Sequence, residues 1–135
     1  MTMTSTFASL SFESASYAPS PRRRDEVWTT ERCFIRELYN TPSDPEGSLA
    51  EARVPPGVTT VLHRLVDVHE RYVIREGRGR MEVDGVTRDV KAGDSVDIPA
   101  GARQRIRNTG PLDLVFLCFC TPRFVPECYR DLEND

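Results

Sequence analysis

The chain has 135 residues, enough for one domain with its own core, and no apolar run near the ~20 residues that cross a bilayer. Its net charge of −3 sets it apart from nucleic-acid binders, which carry a basic face. With 39% hydrophobic and 29% charged residues it reads as a soluble globular protein, and the N-terminus lacks the apolar core of a secretory signal. A cytoplasmic location is therefore expected, with no membrane partner and no nucleic-acid partner.

Residues 1–26 are rich in Ser and Thr and end in three arginines, Arg22 to Arg24. Such a composition cannot support a packed element by itself. The stretch is expected to be a flexible arm, or a swapped segment that orders on a partner subunit; an organellar presequence is the alternative.

From residue 27 to 135 the signals are all β, many short strands that suggest a sandwich or a barrel. Short apolar or alternating runs recur, among them CFIRELY, SLAEARV, ERYVIREG, GRMEV, DSVDIP and DLVFLCFC. Turn chemistry separates them, as in TPSDPEG, KAGD and NTGP. Asp84-Gly85 marks a two-residue hairpin, because Gly accepts the positive φ of a type I′ turn. Only the tail PECYRDLE has a helical look, so a short C-terminal helix is expected.

The run DLVFLCFC is apolar at both parities. One parity faces the barrel interior. The other must also leave water, on a second sheet or a second subunit, which makes a homodimer the expectation. Cover by the N-terminal arm or the C-terminal helix is the alternative. Cys33, Cys118, Cys120 and Cys128 do not fall in the CxxC pairs of a zinc ribbon and are read as reduced, packed thiols.

Both histidines of the chain lie in His63-Arg64-Leu65-Val66-Asp67-Val68-His69-Glu70. This segment belongs to GVTTVLHRLVDVHERYVIREG at 57–77, followed by GDSVDIPAGARQRIRN at 93–108. Together they resemble the two linked motifs of the cupin superfamily. The first family motif is Gly, five residues, His-x-His, three or four residues, Glu, six residues, Gly. The second is Gly, five residues, Pro-x-Gly, two residues, His, three residues, Asn. Here Gly57, His63, Glu70 and Gly77 match the first, and Gly93, Pro99, Gly101 and Asn108 match the second. The resemblance implies an all-β fold, an antiparallel double-stranded β-helix, or jelly-roll barrel.

It also implies a divalent metal held by three histidines and a glutamate. The chain departs from that set at two positions, where Leu65 and Gln104 replace histidines. His63, Glu70 and Gln104 remain as metal candidates, with Fe, Mn, Ni and Zn all compatible. Alternation along a strand puts His63 with Leu65, and Glu70 with Tyr72, on inward faces. His69 points outward in a regular strand; a bulge at Val66-Asp67-Val68 would turn it inward as a fourth ligand. Tyr72 is either a catalytic donor to substrate or an aromatic packing the barrel.

The expected function is that of a small metallocupin enzyme acting on a small organic molecule, of oxygenase, isomerase or cyclase type. His63, Glu70 and Tyr72 are its catalytic candidates. Two alternatives stand beside it. One is a ligand-binding or sensing cupin without catalysis. The other is a metal-free isomerase using His63 and Glu70 as an acid/base couple.

Overall fold

The computed structural model describes residues 19–134. The described chain forms eleven strands: β1 (Val27–Trp28), β2 (Phe34–Tyr39), β3 (Ser48–Val54), β4 (His63–Leu65), β5 (His69–Glu76), β6 (Arg78–Val83), β7 (Val86–Lys91), β8 (Ser95–Ile98), β9 (Gln104–Asn108), β10 (Leu114–Thr121) and β11 (Tyr129–Asp131). They build two antiparallel sheets, ordered β1-β2-β3-β10-β5-β8 and β11-β4-β9-β6-β7. This is the expected jelly-roll barrel.

The local chemistry of the sequence explains the frame. Asp84 and Gly85 both take positive φ, 49° and 82°, and let Val83 pair with Val86 across the β6–β7 hairpin. Gly77 also has φ of 80°, and a Cβ there would lie 2.5 Å from the Asp113 carbonyl oxygen. Only glycine satisfies both constraints. Between the sheets, Val54, Ile74, Met81, Ile98, Ile106 and Phe116 are all but inaccessible to water.

β10 lies at the centre of the six-stranded sheet, between β3 and β5. Its Leu114, Phe116, Cys118 and Cys120 point into the barrel. The opposite parity is partly covered: Val115 is buried, whereas Phe119 is 40% exposed near the exposed Tyr39. That is the face the sequence assigns to a second subunit.

Residues 1–18 of the expected arm lie outside the described residues. The segment just before β1 is held by Glu26, which is buried. Its carboxylate accepts from the backbone amides of Arg22 and Arg23 at 2.8 and 3.3 Å. The guanidinium of Arg53 on β3 donates to it at 2.9 and 3.0 Å and lies 4.2 Å over the Phe34 ring. Burial works against ionisation of Glu26, but Arg53 and the two amides outweigh it and hold the carboxyl below its ordinary range.

The tail departs in detail from the expected helix. Among the described residues of the tail, one 3-10 turn forms, Pro126–Cys128, and Tyr129–Asp131 becomes a strand. So short a segment cannot nucleate an α-helix in isolation. The edge of β4 offers an alternative: Tyr129 pairs with Leu65 and Asp131 with His63. Hydrogen bonds from Val66 N to Cys128 O, 2.8 Å, and from Leu132 N to Leu62 O, 2.9 Å, extend the pairing.

Candidate functional site

The barrel encloses a cavity of about 30 Å³, on the scale of two water molecules or a ligand of very few heavy atoms. Its wall comes from β2, β3, β4, β5, β10 and β11, and from the loop before β2.

β4 turns His63 into this space, 3% exposed. The imidazole Nδ1 is 2.7 Å from the Val61 carbonyl oxygen. A carbonyl only accepts, so Nδ1 carries a hydrogen. Nε2 lies 3.3 Å from Oε2 of Glu31. The carboxylate thus stands at ion-pair distance from the ring. The ring stacks on Tyr129 of β11, with centroids 5.1 Å apart and planes at 20°.

Glu31 reaches His63 from the β1–β2 loop. Thr29 Oγ1 donates to the Cys33 carbonyl at 2.9 Å and accepts from the Glu31 amide at 3.2 Å. Arg32 then takes a left-handed φ of 68°, and Val61 N donates to the Glu31 carbonyl at 3.0 Å. The loop is thus fastened beside β4, and its carboxylate is buried.

β5 alternates, so Glu70, Tyr72 and Ile74 face inward. Gln104 enters from β9 in the other sheet, fully buried. Its Nε2 donates to Glu70 Oε1 at 2.9 Å, and its Oε1 accepts from the Tyr72 hydroxyl at 2.8 Å. These two partners set the amide's orientation, since a carboxylate wants the NH₂ and a phenol wants the carbonyl. The Cys120 thiol lies 3.7 Å from Glu70 Oε2. Burial pushes the Glu70 carboxyl up to about 7, although the charge of His63 and the Gln104 hydrogen bond pull the other way. Burial and the nearby Glu70 push the Tyr72 phenol well up, so it stays protonated as a donor.

A further carboxyl enters from β2. Glu37 Oε2 accepts from Asn40 Nδ2 at 2.8 Å. Its Oε1 is buried and has no hydrogen-bond partner among the described residues, and the same is true of the Tyr129 hydroxyl. Burial pushes Glu37 up to about 7, against the opposing pull of Asn40 and Arg123. The thiols of Cys33, Cys118 and Cys120 also line the cavity; burial raises each of them, so they stay neutral.

Of the residues singled out in the sequence, His63, Glu70, Tyr72 and Gln104 come together. His69 does not join them. Its side chain is 39% exposed and its Nε2 lies 2.7 Å from Asp97 Oδ1 on the outer face. The positive φ of Asp67, 61°, places the chain reversal before β5 begins. Regular alternation then runs from His69 onward and points it outward.

The donor set does not fit a resident metal. Leu65 offers no donor, and both ends of the Gln104 amide are engaged by Glu70 and Tyr72. Among the described residues no three His, Cys, Asp or Glu side chains gather as a metal site.

Glu31 and Glu37 were not among the candidates. Glu37 left a trace in the sequence: it shares parity with Cys33 and Ile35, a charge on the apolar face of CFIRELY. Glu31 left none, because a loop has no periodicity to read.

The family model for the Cupin domain matches residues 50–120. An uncharacterised protein of Methanocaldococcus jannaschii, MJ1618, is 39% identical over 107 residues, covering 78% of this chain and 86% of that protein. An oxalate-binding protein of Thermotoga maritima is 37% identical over 68 residues, 50% of this chain and 56% of that protein. Among solved structures, a predicted oxalate decarboxylase from Thermotoga maritima superposes with a TM-score of 0.62 at 28% identity, covering 67% of this chain and 80% of that one. The nucleoside dehydratase Pac13 superposes with a TM-score of 0.68 over 86% of this chain and 92% of its own, at 13% identity, a likeness of fold alone. With the barrel, the two motifs and the matched domain in agreement, the chain belongs to the cupin superfamily.

Proposed function

We propose that the protein is a small-molecule enzyme that moves protons within its barrel, with Glu70 as the acid/base group. The observation that carries this reading is the Glu70 carboxyl, lining the cavity and pushed to about 7. Such a group is poised to take and return a proton at neutral pH. His63 and Glu31 are the second element, an imidazole and a carboxylate 3.3 Å apart at the same cavity.

The reaction class is isomerisation of an enolisable molecule. The Glu70 carboxylate takes a proton from carbon beside a carbonyl, and the electron pair moves onto the carbonyl oxygen. The His63 ring, with Glu31 behind it, faces that oxygen and stabilises it. Where the deprotonated carbon bears a hydroxyl, Glu70 returns its proton to the former carbonyl carbon, the hydroxyl proton passes to the first oxygen, and the carbonyl re-forms on the adjacent carbon. Tyr72 and Gln104 are positioning residues, since they touch Glu70 or each other.

Deuterium incorporation from D₂O into a panel of small enolisable carbonyl compounds tests the reading. Exchange by the wild type without added metal, lost in Glu70→Gln, supports it. Exchange that appears only with Fe(II), Mn(II), Ni(II) or Zn(II), and that disappears in His63→Ala, would replace it with a metal-assisted reaction. Saturable binding with no exchange would leave a ligand-binding cupin.

A further inference from the structure

The register of the six-stranded sheet places Glu37, Ala50, Cys118 and Tyr72 in one row across β2, β3, β10 and β5. The next row carries Ser48, Cys120 and Glu70. The middle of both rows is made of small side chains, Ser48, Ala50, Cys118 and Cys120. They leave the space that larger residues fill elsewhere in the core. A polar group stands at each end of this floor: Glu37 on β2, and the Tyr72–Gln104–Glu70 cluster on the β5 side.

Three carboxyls, those of Glu31, Glu37 and Glu70, line the cavity with one histidine, and no lysine or arginine lines it. Above pH 7, where Glu37 and Glu70 ionise, a dicarboxylate placed there meets like charge across the cavity at low dielectric. A buried carboxylate oxygen without a donor costs free energy until something supplies one. Glu37 Oε1 is such an oxygen.

We propose that the cavity binds a small neutral or cationic molecule whose N–H or O–H is received by Glu37 Oε1, and that it refuses dicarboxylates such as oxalate. The proposal rests on the barrel cavity being the ligand site, as the proton-transfer reading also requires. It adds the charge class of the ligand and a residue that recognises it. Glu37 is a binding residue, separate from the reacting group Glu70. The name of the oxalate-binding relative therefore does not transfer to this pocket.

The test is an NMR titration of the full chain at pH 8 with three probes: acetamidinium, acetamide and oxalate. The Ala50 methyl, on the cavity floor, is the reporter. Saturable shifts are expected with acetamidinium, and none with oxalate. Glu37→Gln is expected to weaken acetamidinium by about tenfold or more, the scale of one charge-assisted hydrogen bond, and acetamide by less. Should that variant not fold, Glu37→Asp keeps the charge, withdraws the oxygen, and is read in the same way. Oxalate binding as tightly as acetamidinium overturns the proposal. So does an unchanged acetamidinium affinity in Glu37→Gln, or the absence of saturation with every probe, which would leave water as the partner of Glu37. Binding is read without turnover, so the two readings separate. Glu37-dependent binding with no deuterium exchange sinks the catalytic reading alone; exchange that survives Glu37→Gln with unchanged affinity sinks this one alone.

Discussion

Gln104 Nε2 donates to Glu70 Oε1 at 2.9 Å, a bond that joins the two sheets through the middle of the barrel. Burial, which this bond only partly offsets, sets the acid–base linkage of Glu70. The folded-state value of Glu70, about 7, lies above its ordinary 4.5. Below 4.5 the carboxyl is protonated in folded and unfolded chains alike, and nothing is lost. Between 4.5 and 7 the unfolded chain ionises while the folded one keeps its proton, so stability falls as pH rises. Above 7 the loss is complete, on the order of 3 kcal/mol. Glu70→Gln removes this dependence. Relative to the wild type, it is expected to gain stability from pH 4.5 to pH 8, read by urea unfolding at several pH values.

The Tyr72 hydroxyl is the donor that satisfies Gln104 Oε1. Tyr72→Phe keeps the ring against Phe116, whose centroid is 4.3 Å away, and leaves the buried amide oxygen alone. The expected loss is about 1–2 kcal/mol. Proton exchange should fall with it, because an unanchored Gln104 no longer fixes Glu70. A variant as stable as the wild type would mean that the amide finds another donor.

Metal content is predicted from the two departures in the motifs. Wild-type protein, soaked with Zn(II) or Ni(II) and desalted, is expected to retain well under one equivalent. Leu65→His with Gln104→His supplies two imidazoles beside His63 and Glu70 and is expected to retain about one equivalent by elemental analysis. Stoichiometric metal in the wild type would show that Gln104 abandons its bonds to Glu70 and Tyr72 to serve as a ligand.

Arg53 is buried between Glu26 and Asp113, 2.9 and 3.2 Å away. Arg53→Met fills the space over Phe34 and leaves the Glu26 carboxylate without its cation. A loss of about 3 kcal/mol is expected, as for a buried pair broken from one side. Replacing Glu26 with Gln in the same chain should recover part of it, which a double-mutant cycle measures.

The legible parts of the protein are those with local or periodic chemistry. Asp84-Gly85 announces its hairpin because the turn is a property of two residues. The spacing of His63 and Glu70 brings them to one cavity, with Gln104 bonded to Glu70, because strand parity is rigid once register is set. What stayed hidden depends on distant partners. Asp67 carries the chain reversal by itself, so His69 follows regular alternation instead of a bulge. Tyr129–Asp131 becomes a strand because β4 has a free edge, which nothing within PECYRDLE encodes. Glu31 reaches His63 only because its loop is fastened to Val61.

Tyr129, Glu31 and Glu37 share a further property: all three fall outside residues 50–120, the part that matches the family. The matched segment supplies His63 and the Glu70–Gln104 link, whereas the flanks supply β2 and β11 of the wall, the carboxylate beside His63, its stacking ring and the carboxyl at the far end of the floor. Substitutions at a few flanking positions therefore change what lines this cavity and leave the matched segment untouched.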